Sequence, residues 1–143
     1  WSSAAVSAGG KTTTDRETAL NDWTGKTSTA AQITHNECKT ESYAPGFCAS
    51  YERVNANGQG LTAGKWWLPS LGELMMIYAN MRKINYALSL INGATQLAET
   101  WCWSSTEYSA TLAWGLNLYD GYASNGTKAT NQYRVRPVSA FLR

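Results

Sequence analysis

Leu112-Ala113-Trp114-Gly115-Leu116-Asn117-Leu118-Tyr119, followed at once by Asp120-Gly121, is the stretch whose reading decides the fold. Its period is two. Leu112, Trp114, Leu116 and Leu118 point one way, and Ala113, Gly115, Asn117 and Tyr119 point the other, which predicts a strand with one face on a core and one face free for contact. Asp120-Gly121 and Asn125-Gly126 are both hairpin-turn signals, so strands around Tyr122 and from Gln132 to Val135 are expected to fold back beside it.

Upstream the period changes to that of helices. Thr14-Asp15-Arg16-Glu17 fits a capping box, with Gly25 as the stop of the helix it opens. Further helical pieces are expected near Thr29 to Thr34 and over Pro45 to Arg53, where Pro45 suits a first turn. Asn55 to Gly64 reads as a loop leading into Lys65-Trp66-Trp67-Leu68, a short apolar strand ended by Pro69. Ser70-Leu71-Gly72-Glu73 is a second capping box, and Leu71, Leu74, Met75, Tyr78 and Met81 recur at helical spacing. A last helix carries Ile84, Leu88 and Ile91 and stops at Asn92-Gly93. Short helices followed by a small antiparallel sheet with long loops define the class as α+β.

The 143 residues suffice for one domain with its own core. Residues 1–10, rich in Ser, Ala and Gly and beginning at Trp1, read as a linker or junction remnant of a longer chain joined to further N-terminal domains, with the folded domain over 11–143. A net charge of +2 gives no electrostatic footprint for nucleic acid, and no segment is apolar for the length of a membrane span. Cys38, Cys48 and Cys102 are odd in number, so at least one lacks an intramolecular partner. Cys38 and Cys48 are near enough in sequence to pair, although spacing alone does not fix their geometry.

From Trp101 to Tyr133 the chain carries seven aromatic residues set among Ser, Thr, Asn, Gly and Ala, with only Glu107, Asp120 and Lys128 charged. Tyr and Trp give rigid contact area at low entropic cost while Ser, Gly and Asn adapt their hydrogen bonds, so this is the composition of a recognition surface. Trp66, Trp67, Trp103 and Trp114 stand in apolar or alternating contexts and are expected in the core. Trp101, Tyr119 and Tyr122 are the expected recognition anchors.

Catalytic and cofactor patterns fail on context. Gly9-Gly10-Lys11-Thr12 lacks the first glycine and the strand of a phosphate loop, and Gly58-x-Gly60-x-x-Ala63 lacks the helix that would meet a pyrophosphate. His35 is the only histidine and has no partner set for hydrolysis. Glu73 is explained as a cap, Glu107 and Asp120 as residues that hold turn backbone, and no ligand spacing for a metal is present. Arg134 and Arg136 share a strand face suited to an anion or to ion pairs with nearby carboxylates. These readings predict no enzyme, no cofactor and no metal.

Two blocks carry a resemblance, Trp103-Ser104-Ser105-Thr106-Glu107-Tyr108 and Tyr133-Arg134-Val135-Arg136-Pro137-Val138. Support comes from Trp67-Leu68-Pro69-Ser70-Leu71-Gly72-Glu73-Leu74, from Ala113-Trp114 and Asp120-Gly121, and more weakly from Asp22-Trp23-x-Gly25-Lys26. Together they cover most of the chain, which resembles the variable proteins of diversity-generating retroelements of the type found in gut Bacteroides and their phages. The resemblance implies a C-type lectin-like fold and a variable region over about residues 101–133, whose adenine-templated codons an error-prone reverse transcriptase rewrites. It implies a fixed scaffold at Trp103 to Tyr108, Trp114, Leu116 and Tyr133 to Phe141. The diversified ligand-binding positions would then be Trp101, Cys102, Ala110, Thr111, Leu112, Gly115, Asn117, Tyr119, Tyr122, Asn125, Thr127, Ala129, Thr130 and Asn131.

The implied function is a ligand-binding domain, a receptor-binding or adhesin module displayed extracellularly on a phage particle or bacterial cell surface, with an unknown protein or glycan on a cell surface as partner. Fold does not imply sugar binding. The Glu-Pro-Asn, Gln-Pro-Asp and Trp-Asn-Asp signatures of calcium-dependent sugar binders are absent from the sequence, so ligand binding is expected to survive a chelator. Two alternatives compete: an oxidoreductase related to the formylglycine-generating enzymes, which needs a second cysteine beside Cys102, and a structural fimbrial or tail subunit.

Overall fold

Asp15, rather than Thr14, caps the first helix by accepting a hydrogen bond from the Thr18 amide at 2.7 Å. The computed structural model describes residues 1–140 and builds them in the predicted order, helices first and sheet last. Helix α1 spans Arg16–Leu20, α2 Gly25–Gln32 and α3 Ala44–Ser50, with Pro45 in the first turn of α3. Gly25 therefore begins the second helix and does not stop the first. Within the expected loop, β1 (Arg53–Val54) and β2 (Gly60–Leu61) form a small ribbon. Trp67 makes only an isolated bridge to Val138, so Lys65 to Leu68 is not a strand of any length.

The second capping box is present in full: Ser70 accepts from the Glu73 amide and Glu73 accepts from the Ser70 amide, opening α4 (Leu71–Ala79). Asn80 ends α4 and begins α5 (Met81–Ser89), so Met81 belongs to the second helix of this elbow. Then come β3 (Trp101–Glu107), β4 (Leu112–Asn117) and β5 (Ala123–Thr127), an antiparallel sheet in the order β3-β4-β5. Gly121 takes the left-handed conformation the Asp-Gly signal requires, with φ +75°. Asn125-Gly126, by contrast, is no turn and lies inside β5 opposite Trp114 and Ala113. Gln132 to Val135 contributes only a bridge between Arg134 and Cys102.

Both faces of β4 are covered. Trp114, Leu116 and Leu118 join Ala19, Leu71, Leu74 and Cys102 in one cluster, against which the elbow packs Met75, Tyr78, Met81 and Ile84. On the other face Ala113 and Trp103 meet Trp1, Ala8, Cys38, Cys48 and Leu68. The alternation places Trp114, Leu116 and Leu118 in the core correctly, with Leu112 only half-buried, whereas the face expected to be free is closed over a second core at Ala113 and Gly115 and stays accessible only at Asn117 and Tyr119. Its cover is residues 1–10, which pack on the sheet: Trp1 and Ala8 are buried, and the Trp1 indole donates to the Ser104 carbonyl at 2.8 Å. A Trp withdrawn from water contributes on the order of 2–3 kcal/mol, which a tethered linker would forgo.

The buried Asp22 ties the helical layer to the sheet. Its carboxylate accepts from the Thr106 hydroxyl at 2.7 Å and from the Thr24 amide at 2.9 Å. Its carbonyl accepts from the Ser70 hydroxyl, and Thr106 in turn accepts from the Leu71 amide. These bonds hold the start of α4 against β3 and so set where the end of the sheet stands.

Candidate binding surface

Four rings run outward from the second core. Trp103, only 1% exposed, lies 4.2 Å from the Tyr133 ring centroid. Tyr133 stacks on Trp101 at 5.2 Å with the planes 21° apart, and Trp101 meets Tyr122 edge-on at 6.4 Å. Tyr122 is 50% exposed, and on it sits the Arg16 guanidinium, 4.9 Å from the ring centroid and donating to its hydroxyl at 3.2 Å. Each ring restrains the next, and geometries of this kind contribute about 0.5–1.5 kcal/mol per pair beyond their buried area. The outer members of the row are thereby held ready for contact. Tyr119, 70% exposed, stands on the same turn, its amide donating to the Asn117 side chain at 3.0 Å.

The expected ligand-binding positions separate into two patches and an interior. Trp101, Asn117, Tyr119 and Tyr122 gather where β4 runs into the turn. Ala110, Thr111, Thr127, Ala129 and Thr130 are exposed at the opposite end, where the Lys128 amide donates to the Thr111 carbonyl and half-buried Leu112 pairs with Thr127. The six residues of β4 separate the patches, a distance of about 17 Å at the usual rise per residue. Asn125 is half-buried between them. Asn131 links the second patch to the aromatic row, accepting from the Thr127 amide and donating to the Tyr133 hydroxyl. Phe141, the last expected scaffold position, lies outside the described residues.

Two expected contact positions face inward instead. Cys102 is 3% exposed in the leucine cluster because its strand partner is Leu116. Gly115 is buried beneath Tyr133, where an added Cβ would stand 3.0 Å from the ring and 3.0 Å from the Cys102 carbonyl. Gly115→Asn is therefore expected to destabilise the domain by about 1–3 kcal/mol through overpacking and to unseat Tyr133. Urea unfolding monitored by tryptophan fluorescence checks it, and an unchanged midpoint would return Gly115 to the contact face.

The spacing of the chain does not single out Lys128, yet its side chain is 0% exposed and pairs with buried Glu107 at 2.5 Å. Glu107 also accepts from the Ala8 amide at 3.0 Å and the Gly10 amide at 2.8 Å, while Lys128 donates to the Val6 carbonyl at 2.7 Å and lies 4.6 Å from the Trp1 ring centroid. Glu107 thus holds the backbone of the N-terminal segment and not a local turn. Asp120 does hold its turn, accepting from the Tyr122 amide at 3.0 Å. A signal was present in the composition: two of the three charges between Trp101 and Tyr133 are this pair.

The three cysteines carry free thiols. Burial pushes Cys38 and Cys102 up to about 11 and raises Cys48 further still, so none supplies a thiolate near neutral pH. Cys38 and Cys48 lie in one core and Cys102 in the other, on opposite faces of the sheet. Formylglycine-generating chemistry would need a second cysteine beside Cys102, and the described residues bring none there. Arg136 donates to the Thr95 carbonyl at 2.9 Å, and among the described residues neither it nor Arg134 makes an ion pair. Of the four Trp expected in the core, Trp103 and Trp114 are buried whereas Trp66 and Trp67 are half-buried.

Short helices around a small antiparallel sheet, with an aromatic row emerging at its end, make this a C-type lectin-like α+β domain. A family model described as the Lcl C-terminal domain matches residues 11–139, so the chain belongs to that family. It is a family of C-type lectin-like variable domains from diversity-generating retroelements and not a known enzyme family, and the coarse function it suggests is variable ligand binding. No curated protein and no solved structure matches the chain.

Proposed function

We propose that this domain is a receptor-binding or adhesin module, displayed outside the cell on a phage particle or bacterial surface, which grips a protein or glycan on a target cell. The observation that carries the reading is the exposure of Tyr119 and Tyr122 on a turn backed by a row of packed rings. Binding energy concentrates in aromatic residues on rigid supports, because little freedom remains to be lost on contact. Thr111, Thr127, Ala129 and Thr130 surround the opposite end with small exposed side chains, positions where substitution alters the surface without disturbing either core.

Tyr119→Ala/Tyr122→Ala is expected to weaken binding to the target cell by about thirtyfold, roughly 2 kcal/mol, with the unfolding midpoint little changed. Surface titration of the purified variants against whole cells measures the first quantity and urea unfolding the second. Undiminished cell binding would remove this face from the proposal.

A further inference from the structure

A cavity of about 750 Å³ opens beside Tyr119, and most of its wall comes from outside the 101–133 stretch. Tyr78 and Met81 of the α4–α5 elbow, together with Leu118, give it an apolar floor, while Arg82, Lys83 and Glu99 stand on its rim. The wall is firmly built, since Gly121 approaches Tyr78 so closely that an added Cβ would lie 2.5 Å from the ring. Arg82 and Lys83 are exposed, and among the described residues neither makes an ion pair. Two cations face one carboxylate, so the rim favours a negative group.

We propose that the α4–α5 elbow is a second subsite of the recognition surface, which takes an acidic segment of a protein partner. A partner carboxylate would sit against Arg82 and Lys83 while a neighbouring aromatic or aliphatic side chain fills the floor over Tyr78 and Met81. A small inorganic anion would use the rim and leave the floor empty; a polypeptide carrying both groups uses the whole cavity. The inference rests on the reading of Tyr119 and Tyr122 as a contact face, because a partner on that turn reaches the elbow directly. The cavity is made chiefly of residues outside the variable stretch, so domains differing only in that stretch would share this hold while their outer residues select the target.

The probe is a fluorescent random copolymer of glutamate and tyrosine, titrated against the whole chain by anisotropy. Binding is expected, and Arg82→Glu/Lys83→Glu should weaken it by about tenfold or more. The same charge change placed elsewhere, Lys39→Glu/Lys65→Glu, should not. The elbow variant keeps its fold because acidic residues suit the first turn of a helix, and circular dichroism verifies this. Absence of copolymer binding, binding unaffected by the elbow variant, or equal binding of a lysine–tyrosine copolymer would overturn the proposal. Equal affinity for a pure glutamate polymer, which carries no side chain for the floor, would overturn it in favour of a general anion site. Failure of this test removes the elbow alone, whereas undiminished cell binding by the Tyr119/Tyr122 variant removes the contact face.

Discussion

Replacing Lys128 with Met is expected to destabilise the domain by about 3–5 kcal/mol, because it leaves the Glu107 carboxylate buried without its counter-charge. That loss is large against a total stability of roughly 5–15 kcal/mol for a domain of this kind. Glu107 would retain the Ala8 and Gly10 amides as donors, which hold the carboxylate in place but do not neutralise it. Glu107→Gln likewise removes the counter-charge of the ammonium, which keeps the Val6 carbonyl, the Trp1 ring and a neutral amide oxygen as its surroundings. The double variant Lys128→Met/Glu107→Gln removes both charges together, so its loss should fall well short of the sum of the two single losses. Urea unfolding of the four proteins gives the comparison directly. Strict additivity would mean that the two side chains act independently, and that something else holds residues 1–10 on the sheet.

Local chemistry was the legible part of this fold. The Ser70 capping box, the Asp-Gly turn at Gly121 and the leucine face of β4 each depend on residues close in sequence, and each is formed as the residues predict. What was not legible depends on pairings across the chain. Gly126 looks like a turn glycine beside Asn125, yet it lies in a strand because Trp103 and Tyr133 leave no room for a side chain, at 2.9 Å from an added Cβ. The small residues Ala113 and Gly115 look like a free face for the same reason: composition cannot distinguish a surface open to solvent from one closed by a remote segment. Trp1, more than a hundred positions upstream, supplies that closure through Ser104. The candidate site follows the same division. Tyr119 and Tyr122 are exposed as their turn context implies, while Cys102 and Gly115 fall inside because their strand neighbours, not their flanking residues, decide their surroundings.

Trp103→Ala is expected to cost about 3–5 kcal/mol, the range for truncating a buried aromatic side chain in a core that can only partly collapse. Collapse is restricted here. The Trp103 ring is clasped between Tyr133 and the segment of β5 at Gly126, and the strand on which it stands is paired to β4 through Gly115. The consequence extends to recognition, because Tyr133 rests on Trp103 and Trp101 rests on Tyr133. With its innermost ring gone the row gains freedom, and a contact must then bear the loss of that freedom when it forms. Affinity measured on the folded fraction should therefore fall as well, even though Trp103 is too deeply buried to touch a ligand. Trp103→Phe, which keeps an aromatic plane beneath Tyr133, should recover part of both effects. If affinity of the folded fraction were unchanged in Trp103→Ala while stability fell, the outer rings would be held by their own neighbours, Arg16 above all, and the core would serve the contact face only by keeping the domain folded.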